Sequence, residues 1–223
     1  SPSRGLGDVY KRQVVGFHTQ DSARNFMVAL RAMDYSVQIM DDSESANFLR
    51  GARLPEEAQV VGTVTLESGR QVKVGVFPIS IDSAKVNAQA NQPDVLAQAS
   101  DLRARLGNPK VLIAGVDRLD YTKGIQHRLE AIEFLLDSGR LAPEDVAMVQ
   151  VATPSRERLD DYRRTRQQVE AIVSRINGNH GSLGRSLIHY MHSGLPFEQI
   201  VALYTAADVM LITPLKDGMN LVA

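Results

Sequence analysis

The sequence has no cysteine among its 223 residues, and its 25 lysines and arginines are balanced by 26 acidic residues. The first absence excludes a disulfide framework and catalysis by a thiolate. The formal net charge of −1 excludes a general attraction to nucleic acid or to anionic membranes, so any bound anion must be held by cations placed locally. We therefore expect neither nucleic acid nor a membrane as a partner.

Long apolar runs are missing as well, since none approaches the roughly 20 residues that are needed to cross a bilayer. The opening segment 1–13, SPSRGLGDVYKRQ, has neither the apolar centre of a secretory signal nor a periodic pattern that joins it to the rest of the chain. We interpret residues 1–13 as a non-native leader and expect a cytoplasmic protein. The remaining length and an apolar content of 43% suffice for one or two packed domains.

The front part of the chain predicts mixed α/β structure. Residues 14–17, VVGF, are typical of the end of a buried strand, and the spacing of Phe26, Leu30 and Met33 predicts a helix over 21–33. The β-rich runs QVVGTVTL and QVKVGVFPI flank ESGR and predict an antiparallel hairpin. After FPISID the pattern changes, so we place a domain boundary near Asp82.

The rear part alternates short apolar segments with helical patterns. The apolar segments are KVLIAGV, VAMVQV, SLIHYM and DVMLITPL. Between them lie a helix with an apolar stripe through 125–136, a charged helix over about 159–176 that Gly178 and Gly181 would end, and a helix opened by Pro196. Strands separated by helices favour a parallel sheet buried on both faces, which predicts an α/β fold with a Rossmann-like doubly wound layer.

Charged residues come directly after three of these strands, in DRLDYTKG, TPSRER and TPLKDGMN. Because the carboxyl ends of parallel strands meet at one edge of a sheet, these segments should converge there. They carry Arg118, Lys123, Arg156, Lys216 and Asp217. Arginine and lysine bind phosphate oxygens, so we predict a phosphate-rich ligand, held by side chains because no P-loop or G-x-G-x-x-G pattern is present. Ordinary solvated loops are the alternative.

The segments VDRLDYTKGI, ATPSRERLDDY, INGNHGSLG and TPLKDGMNLVA, in this order, resemble the trehalose-6-phosphate synthase family of retaining glycosyltransferases. The resemblance runs from about Val14 to the end. It implies a GT-B fold of two Rossmann-like domains, with 14–82 as the rear part of the N-terminal acceptor domain and 83–223 as a truncated C-terminal nucleotide-sugar domain. It also implies transfer of glucose from UDP-glucose or ADP-glucose to glucose 6-phosphate with retention, which forms trehalose 6-phosphate.

The resemblance assigns roles to particular residues. Arg118 and Lys123 would bind the donor diphosphate and stabilise the leaving group, with no metal and no cofactor, and Asp217 would hold the donor glucose. Arg156 would bind the phosphate of the acceptor. The full set that would contact the donor is Arg118, Lys123, Leu195, Asp217, Met219, Asn220, Leu221, Val222 and Ala223. We also expect Asp117 and Asp120 to orient Arg118 and Lys123.

Several alternatives stay open at this level. The acceptor could be another sugar phosphate such as glycerol 3-phosphate, as in glucosylglycerol-phosphate synthesis, or the protein could be an idle family member that senses sugar phosphate. The base of the donor and homo-oligomerisation of the full-length protein are undecided. The glycine-rich donor loop of the family and the carboxylate that grips the ribose have no counterpart here, so we expect the 223-residue chain alone to be inactive.

Overall fold

The computed structural model describes residues 14–40, 58–155, 160–215, 217 and 220–222. The chain divides between Ile81 and Asp82 into two compact units. No helix in these described ranges is long and apolar enough to span a membrane.

The described residues of the first unit form a four-stranded sheet and one helix. The strands are β1 (Val14–Phe17), β2 (Ser36–Ile39), β3 (Gln59–Thr65) and β4 (Gln71–Val76), in the order β1-β4-β3-β2. β3 is antiparallel to both β2 and β4, and β1 is parallel to β4. The predicted helix is confirmed as α1 (Gln20–Ala32), and the predicted hairpin is confirmed as β3 and β4.

Local signals explain these elements, with two exceptions. The Thr19 hydroxyl accepts a hydrogen bond from the Ser22 amide at 3.2 Å and so caps α1. The interpretation of β1 as a buried strand is wrong, because Val14 is 38% exposed. Among the described strands β1 pairs with β4 alone, and an edge strand exposes more of its surface. β2 was not predicted, since its four residues are too few for a clear alternation.

The second unit contains a parallel sheet of four strands, as predicted. They are β5 (Val111–Arg118), β6 (Val146–Thr153), β7 (Ile188–Met191) and β8 (Val209–Met210), in the order β7-β6-β5-β8. All three pairings are parallel. Seven of the eight residues of β6 are buried, which is the pattern expected of a strand covered on both faces.

Helices cover both faces of this sheet. The covering helices are α3 (Pro93–Arg105), α4 (Ile125–Asp137), α5 (Asp160–His180) and α6 (Phe197–Ala206), and a further helix, α2 (Ser83–Ala90), packs against α3 and α6 through Ala90. Residues of α4 and α5 form one core with Met148 and Ala152 of β6. Residues of α3 and α6 form a second core with Ala147 and Val149 of the same strand. The strand therefore alternates its side chains between two helical layers.

The helical layers differ from the prediction in detail. α2 and α3 were not predicted, although Asp82 caps α2 by accepting from the Lys85 amide at 2.9 Å and Pro93 occupies the first turn of α3. α5 continues to His180, so Gly178 lies within the helix and only Gly181 comes after its end. The predicted last strand shortens to β8, although the Leu211 amide still donates to the Ala114 carbonyl at 2.8 Å.

Candidate functional site

The candidate site lies at the carboxyl ends of β5 and β8. From β5 the chain passes to β6 and β7 on one side of the sheet, and β8 then pairs with β5 on the other side. The order of strands thus reverses beside β5. In open α/β sheets, ligands bind in the crevice outside the strand ends at such a reversal, and the charged segments after β5 and β8 begin there.

A short turn after β5 holds Lys123 in place. Residues Tyr121–Lys123 form one turn of 3₁₀ helix. One carboxylate oxygen of Asp120 accepts hydrogen bonds from the Thr122 amide and hydroxyl, both at 2.9 Å, and the other accepts from the Tyr162 hydroxyl at 3.1 Å. The turn is therefore tied both to its own backbone and to α5.

Asp120 is a structural carboxylate in this arrangement. Burial by itself raises the pKa of Asp120, but the hydrogen bonds from Thr122 and Tyr162 and the charge of Arg118 outweigh burial and hold the pKa below its ordinary value. A carboxylate that stays ionised at neutral pH is a poor proton donor. Asp120 therefore orients the turn that carries Lys123, as predicted.

The structure brings Lys123 and Asp217 together. The Lys123 ammonium donates to a carboxylate oxygen of Asp217, and each side chain is only 12% exposed. The Leu215 amide also donates to the Thr122 carbonyl at 2.8 Å. The loops after β5 and β8 are thus joined, and they place a largely buried cation and a carboxylate at the strand reversal. Arg118 ends β5 and is exposed, and its charge acts on Asp120.

The expectation for Asp117 is wrong. Its carboxylate accepts from Nη1 of Arg128 at 2.7 Å, and this pair is buried. Nη1 of Arg128 also donates to Oε1 of Gln150 at 2.8 Å. Sequence reasoning missed Arg128, although a signal was present: Arg128 comes three residues after Ile125 and four before Ile132, which puts it on the buried face of α4.

The other predicted residues lie at several places in the second unit. Leu195 is half-buried in the loop after β7 and packs against the core formed with α3 and α6, two strands away from β5 at the same edge of the sheet. The side-chain oxygen of Asn220 accepts from the Val222 amide at 2.9 Å, and Leu221 is exposed. Arg156, Lys216, Met219 and Ala223 lie outside the described residues.

Among the residues that the structure describes, no group of three or more histidines, aspartates or glutamates is arranged to hold a metal ion.

A separate cavity of about 890 Å³ runs along β7 between α3 and α5. His189 and Tyr190 line it. Burial lowers the pKa of His189, although a backbone hydrogen bond at Ser186 acts in the opposite direction. The Tyr190 hydroxyl is buried with no hydrogen-bond partner among the described residues.

We expect Tyr190→Phe to reduce the alkaline loss of stability. Burial, with a further contribution from the Glu170 charge, raises the pKa of Tyr190 from 10.0 to about 12. Because the pKa is higher in the folded chain, the neutral phenol of Tyr190 contributes its full stability below about pH 10. Between about pH 10 and about pH 12 the unfolded chain ionises first, and this contribution to the free energy of unfolding is lost. Urea unfolding between about pH 9 and about pH 12 tests this, and equal losses in both proteins would contradict it.

Comparisons with known proteins place this geometry in context. The model of glycosyltransferase family 20 matches residues 4–223. The chain is 46% identical over 210 residues to a trehalose-6-phosphate synthase of Mycobacterium avium, which covers 94% of this chain and 40% of the relative. The synthase of Mycobacterium leprae is 44% identical over the same length, with the same coverage. The chain thus spans about 40% of the length of these relatives.

Solved structures show the same similarity. An α,α-trehalose-phosphate synthase (UDP-forming) from Burkholderia xenovorans, in complex with glucose-6-phosphate, matches with a TM-score of 0.79 and 28% identity. An E. coli structure bound with UDP-2-fluoro glucose matches with a TM-score of 0.77 and 29% identity. Each match covers 95% of this chain and 42% of the other. The likeness confirms the predicted α/β fold of GT-B type.

Proposed function

The chain belongs to glycosyltransferase family 20, and from this premise we propose that the protein transfers glucose from UDP-glucose to glucose 6-phosphate, with retention, to form trehalose 6-phosphate and UDP. The observation that carries the proposal is the Lys123–Asp217 pair at the strand reversal beside β5. It sets a cation for a diphosphate next to a carboxylate for sugar hydroxyls.

The donor diphosphate would lie against Lys123 and Arg118. When the bond between the anomeric carbon and the phosphate oxygen breaks, its electron pair stays on the phosphate, and negative charge develops there. Cations that are already in place stabilise this charge more effectively than solvent that must reorganise. Lys123 is suited to this task because its three donors can serve a phosphate oxygen while still contacting Asp217.

Asp217 would accept hydrogen bonds from hydroxyl groups of the donor glucose. The anomeric carbon then forms its new bond to an oxygen of the acceptor, whose proton passes to the leaving phosphate. No side-chain base is required in this scheme. Backbone groups of Met219, Asn220 and Leu221 would assist Asp217, with Val222, Ala223 and the Leu195 backbone beside the nucleotide.

The choice of substrates rests on the structural relatives. The E. coli neighbour carries UDP-2-fluoro glucose, which supports uridine over adenosine in the donor. The Burkholderia xenovorans neighbour carries glucose-6-phosphate, which supports that acceptor over glycerol 3-phosphate. Arg156, three residues beyond the end of β6, would bind the acceptor phosphate.

Calorimetric titration of the 223-residue chain with UDP, ADP and UMP tests the donor half of the proposal. We expect UDP to bind more tightly than UMP, because the second phosphate meets Lys123 and Arg118. Comparison of UDP with ADP shows which base the site prefers, and we expect UDP to bind more tightly than ADP. Equal affinity for UDP and UMP would remove the diphosphate site from the proposal.

Product analysis tests the acceptor half, with the protein expressed from its complete reading frame. We expect trehalose 6-phosphate from UDP-glucose and glucose 6-phosphate. Product from glycerol 3-phosphate alone would show that this is the acceptor. Binding of an acceptor without turnover would indicate a family member that senses sugar phosphate.

A further inference from the structure

Arg128 forms a buried network that the proposed chemistry does not use. The residue is 1% exposed. Besides its bonds to Asp117 and Gln150, its Nε donates to the Thr213 hydroxyl at 3.2 Å. The guanidinium thus joins four parts of the fold: α4, which carries Arg128, then β5, β6 and the segment after β8.

Three of these parts, β5, α4 and the segment after β8, lead directly to a residue of the proposed donor site. Asp117 precedes Arg118 in the chain, and Thr213 lies four residues before Asp217. The backbone amide of Arg128 makes the first helical hydrogen bond of α4, to the carbonyl of Gly124 at 3.0 Å. Gly124 directly follows Lys123 in the chain. Arg128 therefore contacts the segments that carry all three of Arg118, Lys123 and Asp217.

The surrounding backbone is shaped around this guanidinium. A Cβ atom on Gly115 would lie 2.4 Å from both Nη1 of Arg128 and Oε1 of Gln150. The side-chain amide nitrogen Nε2 of Gln150 in turn donates to the backbone carbonyls of Gly115 and Val151, at 3.2 and 3.1 Å. A glycine in the middle of a buried strand weakens the strand, and here it admits the charged group.

Stability does not account for such a network. Burial of a charged pair costs desolvation, and replacement by apolar residues of similar volume is often neutral or stabilising. Nη2 of Arg128 is also buried with no hydrogen-bond partner among the described residues, and an unsatisfied donor is a further cost. An unsatisfied buried donor of this kind calls for an explanation other than stability.

We propose that Arg128 is a positioning residue of the diphosphate site: by holding Asp117, Gln150 and Thr213 together, it sets the spacing of Arg118, Lys123 and Asp217. This inference rests on the proposed function. A lysine ammonium cannot reproduce the planar set of donors of a guanidinium. Arg128→Lys therefore keeps the positive charge but loses the simultaneous hydrogen bonds to Asp117, Gln150 and Thr213.

The test compares affinities for UDP and UMP by calorimetry on the 223-residue chain. Arg128→Lys should lower the ratio of UDP to UMP affinity about 10-fold, because small displacements of positioned groups cost one to two orders of magnitude. Thr213→Val, a substitution of similar volume, should lower the ratio in the same direction by a smaller factor.

Arg103→Lys is the matched control. Arg103 also makes three hydrogen bonds, to the Ala206 carbonyl, the Asp208 carboxylate and the Pro109 carbonyl, each at 2.8 Å. These bonds lie at the amino ends of β5 and β8, at the opposite edge of the sheet. Loss of the Arg103 fork should therefore lower the melting temperature without changing the ratio of affinities.

If the ratio of UDP to UMP affinity is unchanged in Arg128→Lys, or falls equally in Arg103→Lys, the positioning role is overturned. The proposed function is still upheld in that case, provided that the unchanged chain binds UDP. If Arg128→Lys fails to fold, Thr213→Val decides, and an unchanged ratio in that variant overturns the role. Absence of UDP binding by the unchanged chain would overturn both.

Discussion

Replacement of Lys123 with alanine is expected to weaken UDP binding by the 223-residue chain about 100-fold, while the chain stays folded. Truncation of one partner of a buried, hydrogen-bonded charge pair costs about 2–5 kcal/mol of binding free energy, and a loss of affinity of about 100-fold corresponds to about 2.8 kcal/mol. The loss is enlarged because Asp217, whose side chain is 12% exposed, would face the diphosphate without its cation.

Lys110→Ala provides the control for Lys123→Ala. Lys110 pairs with Asp145 at 2.8 Å just before β5, at the other end of the same strand, and its side chain is 75% exposed. Exposed ion pairs contribute little, so UDP affinity should not change. Calorimetry with UDP measures both variants. A Lys123→Ala chain that binds UDP within a few-fold of the unchanged chain would show that the diphosphate lies elsewhere.

Replacement of Gly124 with alanine is expected to produce the largest loss of stability. Gly124 has a φ of +65°, and a Cβ atom there would lie 2.1 Å from the carbonyl oxygen of Thr213. The left-handed conformation costs an L-residue about 1–2 kcal/mol. The contact with backbone adds to this cost because neither segment can move freely: Leu215 is bonded to Thr122, and Lys123 to Asp217.

We expect the Gly124→Ala chain to lose at least about 3 kcal/mol, which corresponds to a fall in melting temperature of about 6–12 °C for a protein of this size. Thermal unfolding followed by circular dichroism measures it. Gly139→Ala is the matched control, because Gly139 has a φ of +66° with nothing within 4 Å of its added Cβ. That variant should lose only about 1–2 kcal/mol, the cost of the left-handed conformation alone. Equal losses would refute the steric explanation.

Much of the fold could be predicted because its signals are local. In β6, Met148 and Ala147 point to opposite helical layers, and both faces are apolar, so the run VAMVQV already predicts a buried parallel strand. The stripe on α4 is equally clear. α2 escaped prediction because none of its residues is buried, and an exposed helix has no apolar stripe to reveal it.

The candidate site was predictable in its parts. The sequence locates Arg118, Lys123 and Asp217 at the carboxyl ends of strands, and their roles towards a diphosphate and a sugar stay a prediction. Partners at close range can also be inferred from sequence, as with Asp120, which caps a turn two residues away. Asp117 was assigned to the wrong cation, because its neighbours in sequence are not its neighbours in the buried network.

The sequence by itself determined most of the strands and helices, and which strands end in charged side chains, because periodicity and turn chemistry act over a few residues. Only the tertiary structure decided that β8 lies against β5, that Lys123 meets Asp217 across 94 positions of the chain, and that Arg128 is buried among them. Such pairings depend on the order of strands and on which charges lose their water, and neither property belongs to any single segment.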